Sequence, residues 1–141
     1  MPEMIFRRPL DIQSAFDHLY SLNQLEGCLD EERGYAVVGH SFGGYTTVAL
    51  SGSVVDTSAS AEYCSETGAS PWLCDEVATY AAAQGSGVYD LSDDRIWAGI
   101  PMAPAGYEVL IGGLNQVDIA MMVLGGEKDT STTMTDQVEP I

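Results

Sequence analysis

Residues 35–44 read YAVVGHSFGG, an apolar run that leads into a serine between glycines. The composition of Tyr35–Val38 is typical of a buried β-strand. From Gly44 to Leu50 the apolar residues recur at helical spacing, with Tyr45, Val48 and Ala49 as examples. The sequence therefore predicts a strand, a sharp turn at Ser41 and a helix.

This arrangement, Gly39-x-Ser41-x-Gly43 between a strand and a helix, predicts a nucleophile elbow. Glycines are expected on both sides of Ser41, because a side chain there would collide with the neighbouring strand and helix. A bare pattern of this kind also arises by chance in a chain with 15 glycines, where it marks a glycine-rich loop. The flanking strand and helix favour the elbow, with Ser41 as nucleophile and the backbone N–H of Phe42 as oxyanion donor.

Length and charge limit the class of protein. The 141 residues suit a single domain, 1–141, and the hydrophobic content of 45% is enough for a core. The net charge of −16 argues against a nucleic-acid partner, because phosphate binding needs a basic face. It predicts either an ordinary solvated acidic surface or an adaptation to high salt.

Neither a membrane helix nor a signal peptide is expected. The sequence has no run of about 18 apolar residues, which a membrane span would need. Residues 1–10 contain two arginines and lack the apolar segment of a signal peptide. The compartment stays open between the cytoplasm and secretion as part of a longer precursor.

Three apolar runs predict strands: Tyr35–Val38, Arg95–Ala103 and Asp118–Gly125. Alternation of such runs with helices is typical of a parallel sheet covered on both faces. The expected fold class is therefore α/β, with a short parallel sheet of about three strands flanked by helices. Ligands of such sheets lie beyond the carboxyl ends of the strands, where Ser41, Met102–Gly106 and Asp129 are expected to meet.

The remaining segments predict helices and irregular structure. Pro9 suits the first turn of a helix, and apolar residues of Pro9–Leu25 fall on one face, namely Ile12, Ala15, Phe16, Leu19 and Leu22. Glu26–Gly34 is an acidic connector. Ser53–Asp94 has little periodicity and predicts a cap-like insertion, with a helix over Trp72–Ala83. The glycines of Tyr107–Val117 favour a loop, and Thr130–Ile141 begins another helix.

The three cysteines allow two interpretations. Cys64 and Cys74 are close enough in sequence to form a short disulfide loop, which would suit an exported protein. Cys28 would then not take part in this disulfide. Free buried thiols are the alternative. No cysteine or histidine spacing indicates zinc, and Asp90, Asp93 and Asp94 favour a solvated turn over a calcium site. No cofactor is predicted.

Several segments, taken together and in order, resemble the α/β-hydrolases. Within that family they resemble the dienelactone-hydrolase-like and platelet-activating-factor-acetylhydrolase-like esterases. The matching segments run from Arg8 to Asp136: Arg8-Pro9-x-Asp11, Gly39–Tyr45, Asp94-Arg95-Ile96, Ala103–Gly106 and the turn at Asp129. The resemblance covers only the central portion of such an enzyme, so a partial α/β-hydrolase fold is expected.

The resemblance implies hydrolysis of carboxylic esters by a triad in the chain order Ser, Asp, His. Ser41 matches the nucleophile and Asp129 the acid, with Glu127 as the fallback. Phe42, Met102 and Tyr107 are expected to line the substrate pocket, although core packing explains Met102 equally well. The opening strands, the second oxyanion donor, the last strand and the catalytic histidine of the family have no counterpart in this sequence.

Neither histidine of this chain fits the base that Ser41 needs. His40 directly precedes Ser41, and adjacent side chains diverge at an elbow. His18 lies on the first predicted helix, where it suits the surface or helix packing. We therefore expect the isolated chain to be weak or inactive unless another polypeptide completes the site.

Two alternatives to a serine esterase for small esters stay open. The first is a non-catalytic interaction module, which pairs with itself or with a complementary fragment through an exposed, hydrophobic sheet edge. The second is a truncated reading frame with no separate function.

Overall fold

The computed structural model describes residues 3–141, without the side chains of residues 24–26, so the first two residues of the predicted domain lie outside it. The elements, in chain order, are α1 (Met4–Glu26), β1 (Tyr35–His40), α2 (Phe42–Leu50), β2 (Val55–Asp56), α3 (Thr57–Thr67), α4 (Pro71–Gln84), β3 (Val88–Tyr89), β4 (Ile96–Met102), α5 (Tyr107–Leu110) and β5 (Ala120–Met121). A 3₁₀ turn over Leu114–Gln116 precedes β5, and a π-helical turn over Met134–Val138 follows it.

Three parallel strands form the main sheet in the order β1-β4-β5. The predicted α/β class and the short parallel sheet flanked by helices are confirmed. In the register, Val38 pairs with Ile100 and His40 with Met102, while Met102 forms a further parallel bridge with Leu124. The strand that precedes Ser41 therefore lies at one edge of the sheet, and the short β5 lies at the other.

Both α1 and α2 lie on one face of β1. The Phe16 ring of α1 lies 3.8 Å from the Tyr35 ring, and a Cβ at Gly39 would reach Thr47 of α2. Tyr35 and Gly39 point to the same side because alternate residues of a strand share a face. The residues of β1 on the opposite face are all exposed: Ala36, Val38 and His40. The expectation that helices cover both faces is therefore wrong for the part of β1 that the structure describes.

The hydrophobic core lies on the covered side, around α2. Tyr45 is completely buried at its centre, and its hydroxyl donates to the Ile5 carbonyl at 3.0 Å. Proline at position 9 has no N–H, so the carbonyl four residues earlier, that of Ile5, lacks a helical donor. Tyr45 supplies that donor. The core residues are Ile5, Phe6, Tyr45, Val48, Ala49, Val55, Leu73, Val77, Leu91, Val109 and Leu110.

Helix α1 differs from its prediction at its start and in its exposed face. It begins at Met4, which places Pro9 inside the helix rather than in its first turn. Of the predicted apolar face, Phe16 is half-buried, whereas Ile12, Leu19 and Leu22 are 41%, 49% and 44% exposed. The apolar stripe of α1 therefore faces solvent.

The predicted cap-like insertion contains more regular structure than its sequence suggested. Helix α4 confirms the helix predicted over Trp72–Ala83, but α3 was not predicted. Asp56 caps α3 by accepting hydrogen bonds from the Ser58 and Ala59 amides at 2.9 and 3.2 Å. Cys64 of α3 and Cys74 of α4 form a disulfide, which decides between the two interpretations of the cysteines.

The C-terminal third of the chain contains less regular secondary structure than predicted. The third strand spans only Ala120–Met121, followed by the bridge at Leu124. The segment predicted as a loop holds the short helix α5, and the predicted helix over Thr130–Ile141 is reduced to the π-helical turn. None of the helices within residues 3–141 is both long and apolar enough to cross a membrane.

Candidate active site

Ser41 occupies a strained turn between β1 and α2. Its φ is 58° and its ψ is −120°, a conformation that residues with a side chain rarely adopt. The Ser41 N–H donates to the Met102 carbonyl at 2.9 Å, and the Ser41 carbonyl accepts from the Gly44 and Ala105 amides at 2.8 and 3.1 Å. The helix and the end of β4 therefore hold the turn from both sides.

The glycines around Ser41 differ in what they contact. A Cβ at Gly39 would overlap the carbonyl oxygen of Gly43, and one at Gly44 would lie 2.7 Å from the Pro104 Cα. These two positions accept only glycine. A Cβ at Gly43 would meet no atom within 4 Å, so the predicted collision at this position is wrong for residues 3–141.

The start of α2 leaves backbone donors available beside Ser41. The first amides of an α-helix have no acceptor within the helix, and no side chain caps α2. The Phe42 N–H is therefore free to donate to an oxyanion, as the sequence predicted. The Phe42 ring stacks on Tyr45, with centroids 5.1 Å apart, and the Arg8 guanidinium lies 5.0 Å from its centroid.

Asp129 ends a turn that follows β5, and three hydrogen bonds hold its carboxylate. Oδ1 accepts from the Ser131 and Thr132 amides at 2.8 and 3.0 Å, and Oδ2 accepts from the Thr132 hydroxyl at 2.8 Å. The Thr132 amide, the Ser131 amide and the Thr132 hydroxyl lower the pKa of Asp129, and the nearby His40 acts in the same direction. A carboxylate has about four acceptor positions, so one position on Oδ2 stays available.

The sheet places Ser41 and Asp129 at the same end but on its two outer strands. His40 pairs with Met102, and Met102 bridges Leu124, so the elbow and the end of β5 are two strand spacings apart, about 10 Å. The end of β4 lies between them. An imidazole that joined the two side chains would therefore have to lie above this end.

Neither histidine of the chain joins these groups. His40 is exposed on the open face of β1, and His18 is exposed on α1. Within residues 3–141, no hydrogen bond links an imidazole to Ser41 or Asp129. The roles predicted for Ser41, Phe42 and Asp129 stay predictions, as does the source of the base.

The pocket roles predicted for Met102 and Tyr107 stay predictions. Met102 is half-buried at the end of β4, and Tyr107 is half-buried with its ring edge-on to Tyr63 at 5.5 Å. A cavity of about 510 Å³ lies between α3 and the segment after Asp129, and neither residue lines it. Its polar lining includes Tyr63, Thr67, Ser70, Thr133, Asp136 and Gln137.

Gln137 is a structural link that sequence reasoning missed. Its Oε1 accepts from the Gly106 and Tyr107 amides at 2.8 and 3.1 Å, and its Nε2 donates to the buried Glu108 carboxylate at 3.1 Å. It therefore ties the segment after Asp129 to the loop after β4. No local pattern marks this residue, because its three partners lie about 30 residues away in sequence.

The acidic turn before β4 has a structural role. Asp90 accepts from the Ser92 amide and hydroxyl at 2.9 and 2.6 Å. Burial raises the pKa of Asp93, but hydrogen bonds from Arg95 and Tyr35 outweigh it and leave the pKa below its usual value. Arg95 also pairs with Asp17 of α1 at 2.5 Å. Within residues 3–141, no three potential ligands converge on a metal site.

Comparisons of this chain with protein-family models, with curated proteins and with solved structures gave no match. Membership of the α/β-hydrolases therefore stays a prediction, and the candidate site rests on the geometry of Ser41, Phe42 and Asp129.

Proposed function

We propose that this chain supplies the nucleophile, one oxyanion donor and the acid of a serine esterase for small carboxylic esters, with the base coming from another polypeptide. The observation that carries the proposal is the conformation of Ser41. A non-glycine residue held at φ 58° between a strand and a helix costs about 1–3 kcal/mol, and such strain clusters at functional sites.

The chemistry follows from the groups around the elbow. The Ser41 Oγ attacks the ester carbonyl carbon while its proton passes to the supplied imidazole. The Phe42 N–H donates to the carbonyl oxygen as it becomes negative. The imidazolium then protonates the departing alcohol, and water releases the acid from the acyl-serine in a second, similar step.

Asp129 has one acceptor position left, with which it can orient the imidazole of the base. Three local donors fix its carboxylate and lower its pKa, and an aspartate is ionised at neutral pH. An ionised carboxylate with one free lone pair can accept the second N–H of the imidazole and stabilise the imidazolium. A plain turn-forming aspartate would show the same local hydrogen bonds, so the test must separate these two roles.

Imidazole in solution offers such a test, because it can replace the missing base. We expect imidazole to increase the release of p-nitrophenol from p-nitrophenyl acetate beyond its own reaction with the ester. The increase should disappear in Ser41→Ala and persist in Ser86→Ala, a control at an exposed serine. Intact-mass spectrometry should show one added acetyl group, and peptide mapping should place it on Ser41.

The role of Asp129 is tested in the same assay. Asp129→Asn preserves the size of the side chain but removes the charge that would stabilise the imidazolium. It should reduce the imidazole-dependent rate without changing the thermal midpoint by more than a few degrees. An increase that survives Ser41→Ala would overturn the proposal for the nucleophile, and an unchanged rate in Asp129→Asn would leave this residue as a turn former only.

A further inference from the structure

The outer edge of β1 has no partner strand within residues 3–141. β1 pairs only with β4, and the Tyr35 and Ser41 amides donate to carbonyls on that side. Backbone amides of a strand alternate in direction, so the N–H groups of Ala36, Val38 and His40 point outward. These are the donors that an added strand would use.

This edge lacks the features that protect natural sheet edges. Tyr35–His40 contains no proline, lysine, arginine or carboxylate that would repel an incoming strand. Val38 is 56% exposed at its centre.

A groove of about 330 Å³ runs beside the edge, between β1, α1 and α2. Helix α1 runs antiparallel to β1, since Phe16 contacts Tyr35 at one end and Arg8 contacts Phe42 at the other. The exposed Ile12 lies midway along the groove. An added strand would place every second side chain in this groove. Its lining includes Ile12, Val37, Val38, Gly39, Gly43 and Thr47.

Gly43 offers a position at which the groove can be tested. Its φ lies outside the positive region, and a Cβ there would meet nothing within 4 Å, so neither backbone strain nor packing within the described chain requires glycine. Because Gly43 lines the groove, a methyl group there would occupy space that the side chains of an added strand would use.

The charge around the edge selects the kind of partner. The exposed segment before β1 carries Asp30, Glu31 and Glu32 together with Arg33, and the charged residues that line the groove are Arg8 and Asp11. The surroundings of the edge are therefore net acidic. A second copy of the chain would bring its own charge of −16 and the same segment, whereas a strand with basic ends would meet complementary charge.

We propose that the edge of β1 binds a β-strand of a different protein, with alternating apolar side chains and with lysine or arginine at its ends. Main-chain hydrogen bonds to the outward amides of β1 would give affinity, and the groove would select the alternate side chains. This surface does not depend on whether Ser41 is a nucleophile.

A model peptide tests the proposal on the intact chain. The probe is a labelled nine-residue peptide, Lys-Lys-Thr-Val-Thr-Val-Thr-Lys-Lys, titrated at about 0.15 M salt, where distant charges are screened. We expect saturable binding, measured by fluorescence anisotropy. Binding should weaken at least tenfold when glutamate replaces the lysines, and also when the central amides are N-methylated, which removes the strand hydrogen bonds but preserves the charge.

Two variants of the chain locate the binding. Val38→Pro removes an outward N–H that β4 does not use, and Gly43→Ala adds a methyl group in open space, so both should fold and lose binding. Gly87→Ala is the matched control, because a Cβ at Gly87 also meets nothing within 4 Å.

Three results would overturn the proposal. The first is the absence of saturable binding at millimolar peptide. The second is binding that N-methylation, Val38→Pro and Gly43→Ala leave unchanged, since attraction by net charge alone would then explain it. The third is a concentration-dependent dimer in light scattering that Val38→Pro abolishes, which would make a second copy the occupant.

Discussion

At the scale of single residues, the backbone of Ser41 is strained at the position of the candidate nucleophile. Glycine has no Cβ and adopts φ 58° without strain. We therefore expect Ser41→Gly to raise the free energy of unfolding by about 1 kcal/mol, after the higher entropy of glycine in the unfolded chain is subtracted. Urea unfolding measured by circular dichroism would detect this difference.

Ser41→Ala serves as the control for this prediction. Alanine removes the hydroxyl but keeps the Cβ, so the strain stays and no comparable gain is expected. If alanine stabilised the protein as much as glycine, removal of the hydroxyl and not relief of the backbone would be the cause. The strain would then lose its value as a sign of function.

The residues that sequence alone could place are those within or next to an apolar strand. Ser41 and Phe42 follow β1, and Asp129 follows β5 after a short turn, so local patterns locate all three. Gln137 could not be found in this way, because its role depends on Gly106 and Glu108 across the sheet end. The open space at Gly43 was also hidden, because the spacing of glycines around a serine does not show which of them lies against a neighbouring backbone.

At the scale of elements, the disulfide between α3 and α4 should contribute strongly to stability. Closing a loop with a sequence separation of 10 residues stabilises a fold by about 3 kcal/mol in the chain-entropy model. We expect a reducing agent to lower the thermal midpoint by several degrees. Differential scanning calorimetry with and without dithiothreitol would measure this change.

The double variant Cys64→Ser/Cys74→Ser is the matched control for reduction. Its midpoint should resemble that of the reduced protein and should not respond to dithiothreitol. A response of this variant would show that the reducing agent acts elsewhere in the molecule. An unchanged midpoint of the wild-type chain would show that α3 and α4 pack equally well without the bond.

Elements with a strong apolar period were predictable, and those held by caps or long-range pairing were not. β1, α2 and β4 have near-continuous apolar sequences, and each lies close to its predicted range. Helix α3 is rich in serine, alanine and threonine, and its only strong local signal was the cap at Asp56. β5 is shorter than its apolar run because only two of its residues pair with β4, apart from the bridge at Leu124.

At the scale of the whole molecule, charge repulsion should oppose folding. The chain has 21 acidic and 5 basic residues, so its folded state concentrates negative charge. Raising NaCl from about 0.1 M to about 1 M shortens the Debye length from about 10 Å to about 3 Å. We expect this change to raise the thermal midpoint by a few degrees.

The same salt series near the isoelectric point provides the control. The sequence isoelectric point is about 4.1, where the net charge approaches zero and screening has little repulsion to relieve. The gain in midpoint should therefore shrink at that pH. A gain of equal size at both values would indicate a general salt effect on hydrophobic burial, and the charge would then not limit stability.

Because few contacts hold β5, the candidate site can come apart at a temperature at which the rest of the protein stays folded. Asp129 follows a strand held by two ladder pairs and one bridge, and the segment after it is tied to the sheet end through Gln137, whereas Ser41 is anchored to the core through α2. Segments with few such contacts open locally at a free energy well below that of global unfolding. On warming, we expect Asp129 to leave its position while the turn at Ser41 stays formed. Any activity that needs both residues would then end in a subglobal opening that leaves most of the helical signal intact.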